Sequence, residues 1–276
     1  MNRFIIAAFF VVTPLLPAPA GWSPWATRIV DFDPGAGADP AFSDPNAALG
    51  PIDGNTGEDL GYPGPVTMFN PPFDADEVVS IGDHGSITVG FDHVHPDRPG
   101  PDFIVFGTVG FIDIDFPNGE IGRAAMLFGD EGGGSGIEVS LNGMDYFSLS
   151  GTVDTFFPTQ AYLDSGSTLA ANPRKPLPLG LLPGDFSGLT FAQALGVYGG
   201  SAGGTPFDVS SSGLSGFQYV RISHQRENPA SGFDVGLDAL ALVPEPACLW
   251  LWLTGLAVCR WFTGPGNQRV RKCREF

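Results

Sequence analysis

Six aspartates have the spacing most suggestive of chemistry in this 276-residue chain. Asp97, Asp102, Asp113 and Asp115 surround one apolar stretch, Phe103-Ile-Val-Phe106, and Asp234 and Asp238 border another late in the chain. Calcium takes about six to eight oxygen ligands from carboxylates and main-chain carbonyls. The Pro99-Gly100-Pro101 turn offers carbonyls between Asp97 and Asp102, which makes these two the best members of a structural calcium site. Asp234 and Asp238 are partners for them if the late strand folds back alongside. No EF-hand spacing is present. Asp113 and Asp115 alternate with Ile112, Ile114 and Phe116, and read more simply as the polar face of a strand.

Other reactive residue types give weaker signals. His93 and His95 share a strand face at i, i+2, and with Asp97 they suit a transition metal. No third histidine is near in sequence, so surface-loop histidines are the simpler reading. Gly199-Gly-Ser201-Ala-Gly203 fits G-x-S-x-G, but a nucleophile elbow needs a strand before it and a helix after it. Here a helical pattern precedes it, and Gly204-Thr-Pro206 follows. Tyr62, Phe69, Tyr146, Phe156, Phe157, Tyr162 and Tyr219 are candidate sugar-stacking rings, although most Phe belongs in the core. The only tryptophans between residues 21 and 243 are Trp22 and Trp25.

The elements that position these residues are short strands. Ile87, Val89 and Phe91 alternate with Ser86, Thr88 and Gly90. Phe103–Phe106 reads as a buried strand. Ile137, Val139 and Leu141 alternate inward, Asn142-Gly143 signals a hairpin turn, and Asp145–Leu149 is the returning strand. Phe217–Ser223 and Asp238–Val243 are late strands. One helix is expected over about Leu189–Tyr198, starting near Ser187 or Asp185 and ended by Gly199-Gly200. Gly151–Pro183 is rich in Pro, Gly and Ser and poorly periodic, as a long loop or insertion would be. Abundant Gly and Pro with 23 Phe favours an all-β fold of short strands and tight turns, with one short helix.

Charge narrows the partners. Residues 21–243 carry 28 acidic and 7 basic residues, a net charge of −21. Such a surface repels nucleic acid and anionic lipid and suits cations or a hydrated polysaccharide. Cys248, Cys259 and Cys273 all lie beyond it, so the domain has no disulfide and no cysteine chemistry.

Both ends read as targeting segments. Met1–Ala20 has a basic start at Arg3, an apolar centre at Phe4–Val12, and an A-x-A-like cleavage site at Ala18 and Ala20 before Gly21. At the other end, Val243-Pro244-Glu245-Pro246 is followed by the uncharged run Ala247–Cys259 and then by Arg260, Arg269, Arg271, Lys272 and Arg274. Basic residues beyond a membrane helix favour the cytoplasmic side. The run is 13 residues, or 17 if it passes Arg260 to Thr263, against the ~20 of a full span.

This tail resembles the PEP-CTERM sorting signal of Gram-negative bacteria. The resemblance implies an exosortase that removes the tail and passes the protein to the surface or extracellular matrix, with only transient inner-membrane anchoring. Its domains would be a signal peptide at 1–20, a secreted domain at 21–243 with a loop-rich insertion at 151–183, and a sorting signal at 244–276 with a helix at about 247–263. A second resemblance lies within the domain. Asp44-Pro-Asn-Ala-Ala-Leu-Gly50, Ser80-Ile-Gly-Asp-His-Gly-Ser-Ile-Thr-Val-Gly-Phe91, Asp97-Arg-Pro-Gly-Pro-Asp-Phe-Ile-Val-Phe106, Ile137-Glu-Val-Ser-Leu-Asn-Gly143, Tyr198-Gly-Gly-Ser-Ala-Gly-Gly204 and Phe233-Asp-Val-Gly-Leu-Asp-Ala-Leu240 look like a family of secreted bacterial proteins that commonly carry this signal. That family implies a jelly-roll-like antiparallel β-sandwich, similar to galactose-binding and carbohydrate-binding modules. Where relatives place an Asn after the Val-Phe strand, this chain has Gly107-Thr108.

The sequence therefore leads to a secreted, exosortase-processed surface or matrix protein, non-enzymatic, binding or packing with exopolysaccharide. Two alternatives stand beside it. One is a carbohydrate-active enzyme of glycoside-hydrolase type using acidic residues in Gly151–Pro183. The other is a purely structural coat protein.

Overall fold

Alternation decides the two longest strands. The computed structural model describes residues 22–129, 133–149, 156–161, 171–226 and 235–244. In chain order these form β1 (Arg28–Asp33), β2 (Asn55–Thr56), β3 (Gly64–Pro65), β4 (Val79–Ile81), β5 (Ser86–Pro96), β6 (Phe103–Gly107), β7 (Gly110–Phe111), β8 (Leu127–Phe128), β9 (Gly133–Ser140), β10 (Phe147–Ser148), α1 (Phe191–Tyr198), β11 (Thr205–Phe207), β12 (Gly216–Arg226) and β13 (Val235–Leu242). Along β5, Ile87, Val89 and Phe91 are buried. Ile87 and Val89 pair with Ile222 and Val220 of β12 in antiparallel register, and side chains two apart share a face of a strand.

Two antiparallel sheets follow, ordered β1-β5-β12-β9-β10 and β11-β6-β13-β4. Their facing sides make one core, with Ile87, Val89, Ile137, Val220 and Ile222 from the first and Val79, Val105, Leu237, Leu240 and Leu242 from the second. The fold is thus all-β and sandwich-like. Phe103 anchors the core between Phe207 and Phe217, each with its ring centroid 5.2 Å away. β6 is buried on both faces, which explains its uninterrupted Phe-Ile-Val-Phe run. Ile104 and Phe106 point away from the main core and are covered by Ile52, Val66, Ala161 and Ala202. A third cluster joins α1 to Met68, Phe111, Phe157 and Phe186.

Several local expectations change. The strand at Ile137 ends at Ser140 because the Ser140 hydroxyl accepts N–H bonds from Asn142 and Gly143 and turns the chain. Leu141 is therefore exposed instead of inward. Asn142 accepts from the N–H groups of Met144 and Asp145, and Gly143 takes φ +72°, so the turn is longer than a two-residue hairpin. The returning strand shrinks to β10. Asp113 does not lie on a strand face. Its Oδ1 accepts from the N–H groups of Asp115 (2.8 Å) and Glu120 (3.0 Å), bending the chain and leaving Ile114 and Phe116 exposed. The helix starts later than expected. Thr190 is its N-cap, paired reciprocally with Gln193, and Gly199 closes it in the left-handed conformation.

Among the described residues no helix is long and apolar enough to cross a membrane. The signal peptide with its cleavage residues Ala18, Ala20 and Gly21, Glu245 and Pro246 of the sorting motif, the apolar run and the basic tail lie outside the described residues, as do residues 151–155 and 162–170 of the Gly151–Pro183 stretch.

Candidate functional site

The five-stranded sheet turns one face to solvent. Since Val220 and Ile222 of β12 face the core, Tyr219, Arg221 and Ser223 face outward. Arg221 is held from three sides. Its guanidinium lies 3.7 Å from the Tyr146 ring centroid, its Nε donates to Thr88 Oγ1 at 3.1 Å, and its Nη1 lies 3.6 Å from Glu138. Arg28 stands over Tyr219 at 5.1 Å and donates to the Phe91 carbonyl at 2.8 Å. Gly90 and Ser140 lie opposite Tyr219 in the neighbouring strands, and Gly136 opposite Ser223. At one end of this face an open hollow of about 380 Å³ is lined by Asp31, Ser86, Arg221, Ser223 and Gln225. Of the candidate stacking rings, Tyr146 and Tyr219 are on this face. Phe156 and Phe157 are core, Tyr62 is exposed in the β2–β3 loop, Phe69 packs on Phe191 beside α1, and Tyr162 is outside the described residues.

Asp97 and Asp102 do come together, and the structure adds Asp208. Carboxylate oxygens of the three lie within 4.8 Å of one another. Asp102 is buried at the entry to β6. Its Oδ1 accepts the Arg98 N–H at 3.2 Å and its Oδ2 the Val209 N–H at 2.9 Å. Burial pushes the Asp102 carboxyl up to about 6, with the nearby charges of Asp97 and Asp208 adding to it. Asp102 thus already works as a clasp between β6 and the turn before β12. Asp238 is not part of this group, and Asp234 lies outside the described residues.

A second acidic cluster escaped the sequence reading. Carboxylate oxygens of Glu58, Asp74 and Glu77 lie within 4.8 Å of one another. Their loops are laced by carboxylate-to-amide bonds. Asp74 accepts from the Glu58 N–H (2.8 Å), Asp59 from the Ala75 N–H (3.1 Å), and Glu77 Oε2 from the N–H groups of Phe73 (3.1 Å) and Asp74 (3.0 Å). Glu77 precedes β4, whose Val79 pairs with Leu237 of β13. The next residue is Asp238, buried to 1 % exposure, with neither carboxylate oxygen hydrogen-bonded. Burial holds the Asp238 carboxyl well above the usual carboxylate range, and the charges of Asp53 and Glu77 raise it further. Asp53 is pushed up to about 7 by burial first, then by Glu77, Asp76, Asp74 and Glu58. A signal was present in the sequence, since residues 29–83 contain no Lys, Arg or His to neutralise these acids.

The remaining candidates are structural. His93 and His95 lie on β5 instead of a loop. His93 stacks on Trp22 at 4.2 Å, and His95 is buried edge-on to Phe217, which with nearby Arg98 drives it down to about 4. Ser201 is buried, donating to the Lys175 carbonyl at 2.6 Å and accepting from the Gly203 N–H. It follows α1, so the elbow geometry is absent at this serine. Of the sorting motif, only Val243 and Pro244 are described; the Val243 N–H donates to the Asp102 carbonyl at 2.9 Å, just past β13. No protein-family model and no curated protein matches this chain.

Proposed function

We propose that this chain is a secreted surface or extracellular-matrix protein whose sandwich binds polysaccharide without turning it over. The observation that carries the reading is the open face of the five-stranded sheet, where Arg221 is clamped by Tyr146, Thr88 and Glu138 beside a polar hollow. A fixed guanidinium with its donors preset loses little freedom on binding hydroxyl- or carboxylate-bearing sugars. The net charge of −21 over residues 21–243 keeps the remainder of the surface hydrated and away from nucleic acid.

The jelly-roll assignment belongs to the same reading. Successive strands alternate between the two sheets at β4–β5, β5–β6 and β12–β13, as they do in that architecture. Export through a signal peptide at 1–20 and removal of the tail after Val243-Pro244-Glu245-Pro246 by an exosortase complete the proposal. In cells, Glu245→Ala would leave the tail attached and the chain in the membrane fraction if that processing occurs.

Hydrolysis is the weaker reading. The acids of Gly151–Pro183 are Asp154 and Asp164, both outside the described residues. Asp238 is buried and sealed from any glycan. The test is a glycan array run alongside a reducing-sugar assay on the full chain. Binding without sugar release supports the proposal, released sugar supports the enzyme, and no binding supports a structural coat protein. Calcium at Asp97 and Asp102 is no premise of the proposal.

A further inference from the structure

We propose that Glu58, Asp74 and Glu77, whose carboxylate oxygens converge, hold a calcium ion between the β2–β3 segment and the turn into β4, with the buried Asp53 and Asp238 beside it. The carrying observation is Asp238, a carboxylate 1 % exposed in mid-strand with no hydrogen bond to either oxygen. Only the Asp53 main-chain N–H approaches it, without closing a bond of ordinary geometry. Buried polar groups are almost always satisfied, and a buried charge is paired or ligates a metal. Residues 29–83 contain no Lys, Arg or His, and no ion pair among the described residues involves this cluster.

The backbone of β13 is irregular at Asp238. Across the β13–β6 pair, Leu237 faces Gly107 and Ala239 faces Phe106, so Asp238 is an extra residue in a β-bulge. Bulges bend a strand and redirect a side chain. The other acids are held in advance by the amide bonds that lace their two loops, and those bonds leave lone pairs on Asp74 and Glu77.

The donor set selects the ion. Every available atom is a carboxylate or main-chain oxygen, which suits a hard cation and disfavours zinc or copper. The oxygens of Glu58, Asp74 and Glu77, within 4.8 Å of one another, fit around one ion whose ligands sit about 2.3–2.6 Å from it. Magnesium demands a tighter octahedron and keeps its waters, whereas calcium accepts irregular carboxylate shells.

The experiment is a calcium titration of the EDTA-treated full chain at pH 7.5, by calorimetry and by thermal unfolding. The expected result is saturable binding and a melting temperature about 5–10 °C higher at a hundredfold excess over Kd. Magnesium should give a much smaller shift. Asp238→Asn keeps the shape and removes the ionisable carboxyl. In EDTA it should melt no lower than the wild type, while losing at least about tenfold in calcium affinity, since a carboxyl beside the ion is gone. Glu77→Gln should weaken calcium similarly, and Asp102→Asn should leave the response intact. The proposal is overturned if the wild type gives no heat and no shift. It is equally overturned if Asp238→Asn and Glu77→Gln bind calcium like the wild type, or if Asp102→Asn alone abolishes the response.

Discussion

Leu237 and Ala239 are two residues apart on β13, yet they point to opposite faces of their sheet. Leu237 enters the core between the sheets, while Ala239 packs with Ile104 and Phe106 on the outer side. The intervening Asp238 is the extra residue that shifts the phase. One bulge thereby places an unpaired carboxylate beside Asp53 and Glu77 while keeping Leu240 and Leu242 in the core.

Two residues before the bulge, the Thr108 and Val78 side chains pack directly against Gly236. A Cβ there would lie 2.0 Å from Thr108 Cγ2 and 3.0 Å from Val78 Cγ1. Gly236→Ala should therefore destabilise the domain by about 1–3 kcal/mol through overpacking. Urea unfolding checks this, and a change within 0.5 kcal/mol, about the size of an ordinary surface substitution, would contradict it.

The acidic cluster sets a pH dependence. Asp53, Glu77 and Asp238 have folded-state values above their unfolded ones, so the folded chain binds more protons in the window between them. Their stabilising contribution is present at low pH and is lost as pH rises towards 7 and beyond. His95, driven down to about 4, acts in the opposite sense below about pH 6.5. Without calcium, then, the melting temperature should fall between pH 6.5 and 8. Asp53→Asn should flatten that fall, and saturating calcium should remove it. Melting scans at stepped pH, with EDTA or calcium, read this directly.

Phe103 joins both sheets through Phe207 and Phe217. Phe103→Ala should cost about 3–5 kcal/mol, the range for emptying a buried aromatic site. Denaturant unfolding checks the value, and a loss below 1 kcal/mol would mean that the two sheets do not share this core.

Much of the sandwich could be read from the sequence, because burial on one face writes period two into a strand. Ile87-Val89-Phe91 shows this, and the unbroken Phe103–Phe106 run announced a strand buried on both sides. The misreadings have a common cause. Asp113, Ser140 and Asn142 hold the chain by side-chain-to-amide bonds that carry no hydrophobic period, so Ile114 and Leu141 looked inward when they are not. The Asp97–Asp102 pair was visible because its members are five residues apart. The cluster around Asp238 was not, since its members span residues 53 to 238 and meet only through β4–β13 pairing and a bulge. The Arg221–Tyr146 clamp was hidden for the same reason: β12 and the β9–β10 loop are far apart in sequence.

The most direct test of the binding account is an equilibrium titration of Arg221→Ala and of the wild type with the polysaccharide that the wild type binds best. Loss of a clamped arginine at the centre of a binding face typically removes about 2 kcal/mol, or ~30-fold in affinity. The account expects a loss of that size with the melting temperature within a few degrees of the wild type. Unchanged affinity in Arg221→Ala would contradict it and move the binding surface away from the five-stranded sheet.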